Sequence, residues 1–280
     1  MGVLEDELGD IVAKARAGQT MSAGTLASRA GISEGDIGLI EAYRLVPDAA
    51  VVRALASALG LAPDKLVGIS EGSWVPNVLL PQDGHIFVER VSVPFGPYGE
   101  NCYILGFPET GLAVVIDPGG AADEISELLA RHGFDLDAIL VTHAHADHIG
   151  GIRALAMRRP RARLVSHQLD LNSVAGGLPN DWEPAADGNS LTIGKQTVVP
   201  ISTPGHTPGS VCYYTDGVCC VGDTLFAGSI GRASGTGAYG HMLSAVESSI
   251  LSLPADTVLL PGHGPITTVA EERLHNPFFR

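Results

Sequence analysis

Residues Val141 to Gly151 read VTHAHADHIGG, and within them His143, His145, Asp147 and His148 place four potential metal ligands in six positions. The preceding run Ala138-Ile139-Leu140-Val141 reads as a buried strand. His143 and His145, two residues apart, therefore leave its end on nearly one side and can share a metal. Asp147 and His148 are neighbours, too close to serve that same metal once the chain turns into a helix near Ile149, so they face a second. Imidazole and carboxylate are borderline to hard ligands that suit Zn²⁺, Fe or Mn. A histidine-rich surface turn accounts for one such residue far better than for four at one strand end.

Further stretches follow in order: TPGHTPGS with His206, VGDTLF with Asp223 and LLPGHGP with His263. With NCYI at Asn101 to Ile104, VIDPGG at Val115 to Gly120 and the closing ERLHNPFF, they resemble the metallo-β-lactamase superfamily over about Ile86 to Arg280. The pattern is most similar to its glyoxalase II-like, hydroxyacylglutathione hydrolase branch. The resemblance implies an αββα sandwich and two divalent metals, Zn first, with Fe or Mn as alternatives. It also implies that His143, His145 and His206 hold one metal, that Asp147, His148 and His263 hold the other, and that Asp223 bridges them.

The chain has 280 residues, enough for two domains or one large layered domain. Its hydrophobic share of 45% suffices for a core, and a net charge of −14 argues against nucleic acid or an anionic membrane as partner of the whole molecule. Cys102, Cys212, Cys219 and Cys220 have neither zinc-knuckle spacing nor the density of a secreted disulfide scaffold. A hairpin turning at Asp216-Gly217 would pair Cys220 with Tyr213 and Cys212 with Val221, so no two cysteines face each other. The acidic start MGVLEDELGD lacks the apolar stretch of a signal peptide, and no apolar run approaches the roughly 20 residues of a membrane span. The expectation is a soluble cytoplasmic protein.

Three parts are expected: a helical domain over residues 1–72, a linker over 73–85 and a catalytic domain over 86–280. In the first, Leu8, Ile11, Val12 and Ala15, then Leu26 and Ala30, then Ile37 and Ile40, then Val51, Val52, Leu55, Ala58 and Leu59 recur at helical spacing. Gly18, Gly31 and Gly60 fall where helices should stop, Ser22 and Ser33 can cap starts, and Pro63-Asp64 opens a last short helix. This part resembles a Cro/C1-type helix-turn-helix domain. A DNA-reading helix needs polar and basic residues toward the groove. Here the recognition position reads Ser33-Glu34-Gly35-Asp36-Ile37-Gly38, and over residues 1–72 ten acids outnumber six bases. The charge opposes DNA binding, and a domain that pairs protomers into a homodimer or shields the rim of the active site is expected instead.

From Ile86 the overall class is α+β. Strands are expected at Ile86 to Val93, Asn101 to Leu105, Ala113 to Asp117, Ala138 to Val141, Arg163 to Ser166, Thr197 to Ser202, Val211 to Tyr214, Val218 to Gly222 and Thr257 to Leu260. Helices are expected at Asp123 to Arg131, Ile149 to Met157 and Met242 to Leu251. Asp170 to Asn189 reads as a long polar loop of the kind that walls active sites. Ligand motifs recur just after four of the strands.

Two well-known patterns occur out of context. Gly31-Ile32-Ser33-Glu34-Gly35 mimics a nucleophile elbow without a preceding strand, and Gly235 to Gly240 fits a dinucleotide-binding glycine pattern outside any βαβ unit. His85, His132, His167, His241 and His275 fall outside the ligand motifs. His241 is nevertheless kept with Arg232 and Tyr239 as a candidate substrate contact, because all three follow Asp223 in a glycine-rich stretch expected to border the pocket.

The expected activity is hydrolysis of a thioester or related activated acyl compound, a small-molecule substrate, with Asp147 and Asp223 as catalytic carboxylates. A thiolate leaves with a pKa of about 8.5, so no general acid is required. S-lactoylglutathione-like substrates are suggested by the resemblance. Full-length glyoxalase II enzymes add a C-terminal glutathione-binding domain, however, so another thiol carrier, an ester or a lactone fits equally. The alternatives are a mononuclear-iron persulfide dioxygenase using His143, His206 and Asp223, and a metabolite-responsive DNA-binding regulator.

Overall fold

The computed structural model of the chain describes residues 3–82, 84–95, 98–170, 182–233 and 235–280. Five helices open it: α1 (Leu8–Gly18), α2 (Ala23–Ala30), α3 (Glu34–Glu41), α4 (Ala49–Leu59) and α5 (Pro63–Ser70). Their ends are where the chain's polar residues can satisfy free backbone groups. Ser22, Ser33 and Asp48 accept hydrogen bonds from the first turns of α2, α3 and α4, and Gly31 and Gly60 close α2 and α4 in the left-handed region. Gly18 acts differently from the expected stop. It lies inside the last turn of α1 because a Cβ there would sit 2.3 Å from the Tyr239 ring.

Two six-stranded sheets follow. The first has the order β1 (Phe87–Phe95), β2 (Tyr98–Phe107), β3 (Leu112–Ile116), β4 (Asp135–Leu140), β5 (Arg163–His167), β6 (Trp182–Ala185), antiparallel up to β3 and parallel beyond. The second has the order β14 (Thr267–Thr268), β13 (Val258–Pro261), β10 (Val218–Gly222), β9 (Val211–Thr215), β8 (Gln196–Ser202), β7 (Leu191–Ile193). A small hairpin, β11 (Leu225–Phe226) and β12 (Ser229–Ile230), follows Asp223. The β9–β10 hairpin turns through Asp216 and Gly217, both at positive φ, and pairs Cys220 with Tyr213 as expected. All four cysteines are free and buried.

The alternation of side chains builds four layers. Val114, Ile116, Ala138 and Leu140 meet Val211, Tyr213, Val218 and Cys220 between the sheets. Ala113, Val115 and Ile139 turn outward onto α6 (Ala122–His132) and α8 (Ile152–Arg158). Cys212, Cys219 and Val221 turn outward on the other side, where they share one core with Ile11, Val12, Ala15, Leu55, Leu66 and Met242. The N-terminal helices thus complete the outer helical layer of the second sheet, together with α9 (Thr236–Ala245, continued as a π-turn over Val246–Ile250) and α10 (Val269–His275).

Several readings from sequence change. The helix expected from Ile149 begins earlier, as the short α7 (Ala146–Ile149), and restarts at Ile152. The helix expected from Met242 begins at Thr236, so the glycine-rich stretch Gly235 to Gly240 is a helix start and not a loop. The expected loop Asp170 to Asn189 contains β6, and its residues 171–181 lie outside the described residues. In the expected linker, Trp74 stacks on His275 at 4.5 Å and donates to Glu271, and Val78 and Leu80 pack on the core between the sheets, but Leu79 is exposed. Among the described residues, no helix is long and apolar enough to cross a membrane.

Candidate metal centre

The ends of four strands converge on one edge of the sandwich. After β4 the chain gives His143 and His145 and enters α7 with Asp147 and His148; β8 leads to His206, β10 to Asp223 and β13 to His263. Two ligand groups result. In the first, His145 Nδ1 lies 3.0 Å from His143 Nε2 and 2.9 Å from His206 Nε2, and Asp223 Oδ2 lies 3.4 Å from His206 Nε2. In the second, His263 Nε2 lies 3.4 Å from Asp147 Oδ2, and Asp223 Oδ1 lies 3.4 Å from His148 Nε2. The two oxygens of Asp223 thus face different groups.

Most of the histidines are held from behind. His143 Nδ1 meets the Thr142 hydroxyl at 3.0 Å, His148 Nδ1 meets Asp117 Oδ2 at 3.0 Å, His206 Nδ1 meets the Arg232 carbonyl at 2.9 Å and His263 Nδ1 meets the Gly99 carbonyl at 3.0 Å. Each contact leaves Nε2 directed into the cluster, the usual arrangement for imidazole ligands with an outer partner. Asp170 ties two ligand loops together, accepting from the Ala144 amide at 3.0 Å and the Thr207 hydroxyl at 2.9 Å. Gly262 permits close packing here, because a Cβ would lie 2.5 Å from Asp223 Oδ1 and 2.6 Å from His148 Cε1.

At His143 and Asp223 the charge states suit a cation, whereas at His148 burial is outweighed by Asp223 and Asp117, which raise it well above the ordinary imidazole value. Burial, reinforced by the neighbouring His148, holds His143 well below the ordinary imidazole value. Burial works against the Asp223 carboxylate, but His148, His143 and His206 outweigh it and hold the carboxyl well below its usual range. His148 Nε2 and Asp223 Oδ1 are buried without a hydrogen-bond partner, a costly arrangement that a cation between them would relieve. The donor set therefore fits divalent metal in both groups.

Three nearby residues escaped the sequence reading. Asp117 stood in a motif noted only for resemblance, and nothing local shows that it reaches His148. Glu100 is fully buried next to it, 3.9 Å from His148 Nδ1, and burial pushes its carboxyl up to about 10. Lys14 of α1 reaches the site loop, donating to the Ile230 carbonyl at 2.8 Å, pairing with buried Asp6 and standing 4.7 Å from the Phe226 ring centroid.

The cleft that opens onto the two ligand groups is lined by Glu5, Lys14, His206, Phe226, Arg232 and His263, together with Asp6, Asp10 and Asp223. Arg232 is thereby at the site, as expected. Tyr239 is not: its ring packs on Gly18 and, at 6.5 Å, faces Phe278 in the outer core. His241 is exposed on α9 and does not line the cleft. Both depart from their expected place because the stretch they occupy is helical, which sends Tyr239 toward α1.

A family model for the Metallo-beta-lactamase superfamily matches residues 95–263. The probable metallo-hydrolase YqgX of Bacillus subtilis is 34% identical, covering 66% of this chain and 95% of its own length. The hydroxyacylglutathione hydrolase GloC of Haemophilus influenzae is 29% identical over the same shares. Among solved structures, TTHA1623 in a di-iron-bound form is 32% identical with a TM-score of 0.55, covering 68% of this chain and all (100%) of that one.

Proposed function

Because the chain belongs to the metallo-beta-lactamase superfamily, we propose that it is a binuclear metal-dependent hydrolase that cleaves a thioester or related activated acyl substrate. The observation that carries this reading is the division of Asp223, one carboxylate oxygen toward each ligand group. His143, His145 and His206 would hold one metal, Asp147, His148 and His263 the other, with Zn the first candidate and the di-iron relative supporting Fe. Bound there, the two cations supply Lewis acidity and a water acidic enough to react near neutral pH.

The protein's own groups do the rest. Thr142, Asp117, Gly99 and Arg232 fix the imidazole rings, so little reorganisation accompanies the reaction. We assign transient uptake of a proton to Asp147, 3.4 Å from His263 Nε2. Arg232 stands exposed at the cleft, where its guanidinium can meet polar atoms of the acyl group. Lys14 is fully engaged with Asp6 and Ile230 and offers no proton to a leaving group. A leaving group that needs no proton, such as a thiolate, suits a cleft whose Lys14 is engaged and whose Asp223 faces the ligand groups. We read the five N-terminal helices as part of this hydrolase and not as a DNA reader, since α3 presents exposed Glu34 and half-buried Asp36 and the unit shares a core with the second sheet.

The test pairs metal content per protomer, in protein purified without added metal, with hydrolysis of S-lactoylglutathione by the same preparation. Two metals with turnover are expected. One iron per protomer, with oxygen consumption on glutathione persulfide, would instead make the protein a dioxygenase.

A further inference from the structure

The family match begins at residue 95, yet the metal cleft is partly walled by residues 5 to 14. That wall is fixed in place. Lys14 binds the Ile230 carbonyl, pairs with buried Asp6 and covers Phe226, and the Glu5 backbone presses on Gly264, whose added Cβ would lie 2.8 Å from Glu5 Cβ. Glu5 therefore stands beside His263, at the second ligand group. Arg232, whose carbonyl holds His206, marks the first.

The other carboxylates of the cleft are committed. Asp6 pairs with Lys14, Asp10 accepts from the Tyr43 hydroxyl and the Glu7 amide, and Asp223 belongs to the ligand groups. The Glu5 carboxylate has no hydrogen-bond or ion-pair partner among the described residues. The cleft thus carries exposed Arg232 and the half-buried Glu5 carboxyl, which burial raises and the nearby His263 draws back toward the anion.

We propose that Glu5 makes the cleft selective for substrates carrying an ammonium group on the side of the scissile acyl bond nearest His263. The leaving thiol or alcohol would then be cationic or zwitterionic, and a carrier with only carboxylates there would be disfavoured by like charge. This rests on the hydrolase reading, so the test reads binding as well as turnover.

The full chain loaded with Co²⁺ is titrated with thiocholine, 2-mercaptoethanol and 3-mercaptopropionate, and binding is followed by thiolate-to-cobalt charge-transfer absorption. One charge at contact range in a half-exposed cleft predicts that thiocholine binds about tenfold more tightly than 3-mercaptopropionate. Glu5→Gln should bring the two within about twofold and Glu5→Lys should invert them, with cobalt content and 2-mercaptoethanol affinity unchanged. A ratio that neither variant alters, or no preference in the wild type, overturns the proposal. If the ratio shifts as expected while none of the acetyl thioesters of these thiols is turned over, the hydrolase reading fails and the selectivity of the wall stands.

Discussion

Asp117 Oδ2 lies 3.0 Å from His148 Nδ1, and both residues are buried. Asp117 also accepts from the Thr142 amide at 2.7 Å and from the Thr142 hydroxyl, so one carboxylate, held at positive φ, orients the start of one ligand group and a member of the other. Asp117→Ala should weaken the metal on the His148 side by about 10- to 100-fold, as loss of an outer partner generally does. Stepwise metal titration would show it; equal affinity in the variant would remove Asp117 from the site.

His145 is exposed and contributes its Nδ1 to the first group, with little packing at stake. His145→Ala should lose that metal and slow hydrolysis by more than the roughly 100-fold upper range of outer-partner changes, while circular dichroism stays the same. Normal metal content with unchanged turnover would refute the ligand assignment.

Lys14 and Asp6 are 8% and 6% exposed, and they join α1 to the preceding segment beneath the cleft wall. Lys14→Met strands a buried carboxylate and should cost about 3 kcal/mol in denaturant unfolding. The double variant with Asp6→Leu should recover most of that loss. Equal stability of both variants would mean that the pair is solvated.

Glu272 is buried, and burial raises its carboxyl to about 7 even though Asn276, Thr267 and the Gly228 amide all donate to it. The folded protein then holds a proton between about pH 4.5 and 7 that the unfolded chain has released. Stability must fall as pH rises through that window, by about 3 kcal/mol at most, and stay lower above it. Glu272→Gln should remove this part of the slope, read as the difference between wild-type and variant unfolding free energies from pH 4.5 to 8. A constant difference across the range would show that the carboxyl titrates normally.

The seven residues that cluster as candidate ligands were legible because coordination chemistry restricts residue type and the strand end restricts spacing, and both act within a few residues. The same holds for the helix caps at Ser22, Ser33 and Asp48 and for the β9–β10 turn at Asp216-Gly217, where a local backbone need selects a local side chain. The short strands β6, β7 and β14 carried little signal, since two to four residues acquire extended structure only from the neighbour they pair with. Tyr239 was misplaced because glycines suggested a loop where packing against Gly18 stabilises a helix.

By itself the sequence determined where the metal-ligating residue types fall: histidines and carboxylates at strand ends, beside alternating apolar strands and an acidic N-terminal unit. The tertiary structure decided what surrounds that chemistry. It brought Asp117 behind His148, merged the N-terminal helices with the second sheet's outer core, and set Glu5 against Gly264 in the wall of the cleft. Lys14 and Ile230 are 216 positions apart in the chain, and only the burial of apolar faces shared by α1 and the sandwich brings them together.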